Sequence, residues 1–412
     1  MDRKVVVIGA GVIGLSCALS IQTRLAQQQQ QQQQQGGTRY QVVIVAAEFP
    51  QAVAGAPSDS PPSVNYASMW AGAHVRPIPG DTPQLRCEAA WLKDTVRHFD
   101  QGCSGSLAHQ PQAWMLGVTR CTGREFLEAP SEAYRAQTKT SFEAETGLTG
   151  YRRLSGSRRC GHDTFELPLG VGFGFEYQTY CINPPVYCAS LLRKFLSEGG
   201  VALERRQLQS VDEAFDLFPG SSSSLSSQDT VDLVVNASGT GFGDPECFPT
   251  RGQTVLTSWT GNGETVTRQH RDGAWTFIIP RFLGGGTIVG GTKEVRDWRV
   301  EPATGRRDQL LASASVALGN KVVAEGLAGS RVIMDVVGRR PTREGGMRIE
   351  VEHQPMFAAD TQSGKKTRPV VHAYGAGGRG FEISWGVADE VTALVMSTLN
   401  IEHGQRLGKA RF

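Results

Sequence analysis

Gly9-Ala10-Gly11-Val12-Ile13-Gly14 follows the β-branched run Lys4 to Ile8 and opens a stretch, Val12 to Leu25, with apolar positions at helical spacing. A strand, a tight glycine turn and a helix at this spacing leave few choices of fold. The first glycine makes the turn, the second lets the backbone approach a pyrophosphate, and the third lets helix and strand pack closely. The helix N-terminus then offers free N–H groups and a positive dipole end to phosphate. An acid is expected about 20 residues further on, at the end of the second strand, to accept the ribose hydroxyls. Glu48 lies 34 positions past Gly14, and removing the glutamine tract Gln27 to Gln35 with its flanks restores the usual distance. No arginine stands there for a 2′-phosphate, so the site suits FAD or NAD rather than NADP.

The tract itself reads as a low-complexity insertion in the return loop, away from the ligand. A chain of 412 residues is long enough for two or three domains. Its 42 basic and 40 acidic residues leave a formal charge of +2, with no broad field for nucleic acid or an anionic membrane. A small-molecule partner is expected. Eight cysteines occur without a C-x-x-C pair, which predicts buried free thiols in a reducing compartment and no metal site. No stretch reaches the roughly 20 apolar residues of a membrane helix, so a soluble, intracellular protein is expected.

Further along, Ala52 to Ser63 reads as a loop, and helices are expected over Thr82 to Phe99, Pro185 to Glu198, Thr304 to Leu318 and Ile383 to Leu399. The region Gln101 to Phe165 has weak periodicity. Strand patterns occur at Tyr40 to Val45, Val201 to Arg205, Val231 to Val235 and Pro369 to Ala373, and from Arg251 to Arg340 the alternation suits an antiparallel sheet. Dinucleotide-type elements therefore sit at the start, middle and end. The expected fold class is α/β: a Rossmann-type FAD-binding domain (1–90, 200–250 and 335–412) interleaved with an α+β substrate domain (91–199 and 251–334) built on a mostly antiparallel sheet.

Several motifs carry a closer likeness. Tyr66-Ala67-Ser68-Met69-Trp70-Ala71-Gly72-Ala73, Val234 to Gly239, Arg251-Gly252-Gln253-Thr254, Ile278-Ile279-Pro280-Arg281, Gly290-Gly291-Thr292, Gly338-Arg339-Arg340-Pro341 and His372-Ala373-Tyr374-Gly375 resemble, in order, the D-amino-acid oxidase and D-aspartate oxidase family. The resemblance implies FAD as cofactor, a D-amino acid and O2 as partners, and a 2-oxo acid, ammonia and hydrogen peroxide as products. It implies that Ser68, Gly72, Ala73 and Leu208 contact the flavin. Gly377, Gly378, Gly380, Phe381 and Glu382 would offer backbone N–H groups to its reduced ring. Arg340 matches the arginine that holds the substrate carboxylate, and Gly378 the carbonyl that accepts from its amine.

Two positions depart from the family pattern. Phe277 stands where a tyrosine is usual, so a hydroxyl is missing. Lys293 stands where neutral-substrate members have tyrosine and aspartate oxidases arginine, and Arg271 resembles a basic residue of the aspartate oxidases. The lean is toward an acidic D-amino acid such as D-aspartate or D-glutamate. A neutral D-amino acid or a secondary amine stays open, as do a nicotinamide-dependent dehydrogenase and a non-catalytic flavin protein. The resemblance is compatible with a homodimer and implies a peroxisomal address, although the sequence given closes on Ala410-Arg411-Phe412 rather than a tripeptide of the S-K-L type.

Overall fold

The computed structural model describes residues 2–32, 39–50, 62–103, 115–154, 159–160, 163–164, 167–203, 206–218, 230–317, 321–355 and 367–399. The chain opens with β1 (Asp2–Ile8), α1 (Val12–Gln32) and β2 (Arg39–Val45). A short helix α2 (Ala67–Trp70) and β3 (Ala73–His74) lead to the long α3 (Pro83–Cys103). Next come β4 (Val118–Leu127), α4 (Glu132–Ala136), α5 (Lys139–Thr146), β5 (Arg152–Leu154), β6 (Arg159–Cys160), β7 (Asp163–Thr164) and β8 (Phe173–Ile182). The middle holds α6 (Pro184–Ser197), β9 (Val201–Ala202), β10 (Thr230–Asn236), β11 (Cys247–Thr257), β12 (Glu264–Gln269), β13 (Trp275–Pro280), β14 (Thr287–Gly290) and β15 (Glu294–Val295). The last part holds α7 (Arg306–Ala317), α8 (Lys321–Ala328), β16 (Val332–Arg343), β17 (Arg348–Pro355), β18 (Thr367–Tyr374) and α9 (Gly380–Thr398).

Among the described residues one sheet runs β17-β18-β10-β1-β2-β9, parallel except for its edge strand β17. Its central strands are continuous apolar runs, as burial on both faces requires. One face carries α1 and α9, which pack on each other, and α3 crosses α9 closely. A Cβ on Gly386 would sit 2.3 Å from Cα of Trp91, so only glycine permits that crossing. The other face is closed by Leu208, Val211 and Ala214.

The second sheet runs β15-β11-β14-β13-β12-β4-β8-β3, with β16 on β11 and β5 on β8. It is antiparallel except where β12 meets β4. Val255, Val266, Ile278 and Val289 face Leu310, Ala314 and Leu327 of α7 and α8 to form its own core.

Three features differ from the sequence expectations. Gln27 to Gln32 continue α1 rather than forming a loop, because glutamine is a good helix former and nothing in the tract breaks the helix. The weakly periodic region contains the ten-residue β4, hidden in the sequence by Arg124 and Glu125 at its centre. Cys17, Cys121, Cys181 and Cys188 are buried free thiols, whereas Cys87 is exposed. Gln33 to Gln35, most of the expected loop Ala52 to Ser63, and Glu204 and Arg205 at the end of the expected strand from Val201 lie outside the described residues.

Candidate active site

A cavity of about 1820 Å³ opens between the two sheets, with the C-terminal ends of β1, β2 and β10 along one wall and β11 to β16 along the other. The ends of parallel strands are where such folds bind ligands. Gly9 has φ +102°, and a Cβ there would meet the Ala237 carbonyl oxygen at 2.4 Å; one on Gly14 would meet the Gly9 carbonyl oxygen at 2.0 Å. At Gly11 a Cβ would meet only Ser68 Oγ, at 3.1 Å, because this glycine borders open space. The Val12 N–H donates to the same Ser68 Oγ. Ala10 and Ile13 complete the wall, and the Tyr66 hydroxyl donates to the Ala10 carbonyl at 2.6 Å.

Glu48 borders this end of the cavity, three residues beyond the in-register pair Ile8–Val45, and one of its carboxylate oxygens accepts from the Ser63 N–H at 2.8 Å. Gly72, Ala73 and Leu208 line it further along. A Cβ on Gly72 would press on Ile288 at 2.9 Å. The start of α9 closes the far side, where a Cβ on Gly380 would lie 3.4 Å from Val12 Cγ1, so two helix N-termini lie near each other. Of the five residues expected to offer N–H groups there, Gly377 donates to the Pro341 carbonyl and Glu382 to the Arg379 carbonyl. Gly378, Gly380 and Phe381 have no backbone acceptor among the described residues. The Glu382 carboxylate is also engaged, accepting from the Arg76 N–H at 2.8 Å and from the Arg379 guanidinium.

On the opposite wall Arg340 donates to the Thr292 carbonyl at 3.3 Å. Gly252 makes room for its guanidinium, since a Cβ there would sit 2.4 Å from Nη1. Burial lowers the Arg340 pKa, partly offset by the nearby Glu294 carboxylate, yet from so high a starting value that the group stays charged. Gly378 is adjacent, its Cβ position 3.3 Å from Arg340 Cδ. Phe277 packs its ring against Gly290 and Gly291, within 2.6 and 2.8 Å of where their Cβ atoms would be. Lys293 borders the cavity as an exposed side chain without an ion pair among the described residues. Arg271 does not join them. It is exposed in the β12–β13 turn, and its backbone N–H donates to Glu128 at 3.1 Å.

The sequence reading missed a group of polar residues on this wall. His74 bonds Thr265 Oγ1 at 2.8 Å, and burial, with the Arg76 charge, pushes its imidazole down to about 3, so it is neutral. Arg76 is buried, donates to Glu125 at 3.0 Å and lies 4.1 Å over the Trp275 ring. Glu125 is 49 positions away, and no local pattern could have joined them. The sequence signal available was the charge of Arg76 beside the Tyr66 to Ala73 motif.

The residues present fit a flavin dinucleotide. The glycine wall leaves a backbone-lined cradle that side chains would fill, and Arg379 Nη2 and Thr254 Oγ1 are buried polar atoms of cavity-lining residues without a protein partner. Buried polar groups need partners, so a polar ligand is expected against them. Among the described residues no helix is long and apolar enough to cross a membrane, and no group of three His, Cys, Asp or Glu could hold a metal ion.

The FAD dependent oxidoreductase family model matches residues 4–394. D-aspartate oxidase of Talaromyces thermophilus is 40% identical over 402 residues, covering 97% of this chain and 96% of its own. D-aspartate oxidase of Homo sapiens is 28% identical over 400 residues, covering 95% and 94%. Among solved structures, glycine oxidase from Bacillus cereus superposes with a TM-score of 0.60 over 96% of this chain and 97% of that one, at 15% identity, a likeness of fold.

Proposed function

The chain belongs to the FAD dependent oxidoreductase family, and from that premise we propose that it oxidises D-amino acids, with a lean toward acidic ones such as D-aspartate. The reaction takes a D-amino acid, O2 and water to the 2-oxo acid, ammonia and hydrogen peroxide. The observation that carries the reading is that Arg340 lies beside Gly378, at the start of α9, in the cavity that the glycine cradle also lines. Arg340 holds the α-carboxylate in its planar fork, and the Gly378 carbonyl accepts from the amine. Two contacts on adjacent groups fix the direction of the Cα–H bond. Bound FAD supplies a two-electron acceptor.

Gly9 to Gly14 and Glu48 would hold its pyrophosphate and ribose, and Ser68, Gly72, Ala73 and Leu208 would contact the flavin. The open N–H groups of Gly378, Gly380 and Phe381 favour negative charge at the start of α9. No side-chain base is needed if the amine binds neutral, and His74, neutral and bonded to Thr265, is not assigned that part. The acidic lean is supported by the D-aspartate oxidase relatives and by Lys293, a cation at the cavity rim. The parallel sheet with α1 and α9 serves as the FAD-binding unit and the second sheet as the substrate unit. A homodimer and a peroxisomal address rest on the family resemblance alone.

The test is a peroxide assay with D-Asp, D-Glu, D-Ala, D-Pro and their L-forms, after the absorption spectrum is recorded. A yellow protein that makes peroxide with D-Asp fastest is the expected result. Flavin present without peroxide from any D-amino acid would overturn the reading.

A further inference from the structure

Three polar residues outside the family motifs, His74, Arg76 and Thr267, line one wall of the cavity. His74 and Thr265 are joined by a hydrogen bond, and Arg76, just past β3, and Thr267 in β12 each lie two residues further along, β3 and β12 running in the same direction. Residues two apart in extended chain share a face, so Arg76 and Thr267 come side by side. Thr267 pairs across β4 with Glu125, which accepts from Arg76 Nε and from the Tyr177 hydroxyl. On its other side Thr267 pairs with Phe277, and Trp275, two residues before Phe277, lies against the Arg76 guanidinium. Arg76 is 4% and Thr267 1% exposed, both border the cavity, and Arg76 Nη2 and Thr267 Oγ1 have no protein partner.

We propose that Arg76 and Thr267 form the subsite for the substrate's side-chain carboxylate, with Phe277 between them and the Arg340 anchor. The inference rests on the D-amino-acid oxidase reading and names the residues that set its substrate class. Glu125 holds one edge of the Arg76 guanidinium through Nε and leaves Nη2 for a second carboxylate. Because two donors there are buried and unsatisfied, an acidic side chain repairs a desolvation that a methyl group leaves in place. Phe277, lacking a hydroxyl, offers no competing donor between the two ends.

Thr267→Val tests this cleanly, since the hydroxyl it removes bonds no protein group and the shape is kept. The expected result is an unchanged Tm, a rise of about tenfold in KM for D-Asp and no change for D-Ala. Arg76→Met strands Glu125, so it is paired with Glu125→Gln; that double variant should lose about a hundredfold in kcat/KM for D-Asp while D-Ala is spared. Arg76→Lys, which keeps the charge, should recover part of the loss.

Calorimetric titration of the holoenzyme with succinate and with propionate reads the same subsite without turnover, and only succinate should weaken in the variants. Equal losses for D-Asp and D-Ala, or for succinate and propionate, would overturn the subsite while leaving the oxidase reading intact. A wild-type protein that oxidises no D-amino acid yet binds succinate better than propionate through Thr267 would instead fail the oxidase reading alone.

Discussion

The two walls of the cavity are built by different means. The wall under β1, α1 and α9 is almost all backbone: glycines, helix N-termini and a carbonyl or two. The wall of β11 to β16 works through side chains, with Arg340, Phe277, Lys293, Arg76 and Thr267 reaching one space from separate strands and from the β3 segment. A backbone cradle tolerates no added atom but asks for little chemistry, whereas a side-chain wall tolerates many shapes and decides which substrate enters. Substitutions on the first wall should therefore act on occupancy by the cofactor and those on the second on substrate choice.

The largest effect is expected at Gly14. Gly14→Ala puts a Cβ 2.0 Å from the Gly9 carbonyl oxygen and should give protein without bound flavin, seen as loss of visible absorbance per chain. Normal flavin content would break the contrast between the walls.

Arg340→Met should keep flavin but lose about 4 kcal/mol of transition-state binding, roughly a thousandfold in kcat/KM for D-Asp. Loss of flavin instead would place Arg340 on the wrong wall.

Lys293→Met should cost D-Asp about fivefold in kcat/KM, near 1 kcal/mol, because the lysine is exposed and screened. D-Ala should be unaffected.

Phe277→Tyr is the smallest, a change of about twofold in KM from one added hydroxyl. A tenfold change would show that the ring position is a substrate contact of the first importance.

The same contrast explains what could be read from the sequence. Gly9, Gly11 and Gly14 act within six residues, so their spacing alone carried the strand, turn and helix and, with Glu48, the kind of cofactor. Arg340 and Phe277 were found through short motifs of a known family rather than through any physical pattern. Arg76, Glu125 and Thr267 become neighbours only after β3, β4 and β12 align in one sheet, which no local periodicity records. Arg271 is exposed in the β12–β13 turn, and a charged residue near a motif says nothing of which way its turn presents it. The N–H groups of Gly377 and Glu382 were overcounted for a similar reason: whether a helix-start donor is free depends on the carbonyls of Pro341 and Arg379 beside it.

α1 carries the pyrophosphate turn at one end and glutamines at the other, about 30 Å apart over 21 residues. A gene that gains or loses glutamine codons in this tract adjusts the distal tip of a rod whose working tip is pinned by Gly9 and Gly14. Variants differing only in tract length should thus retain the cofactor equally well, read as flavin absorbance per chain.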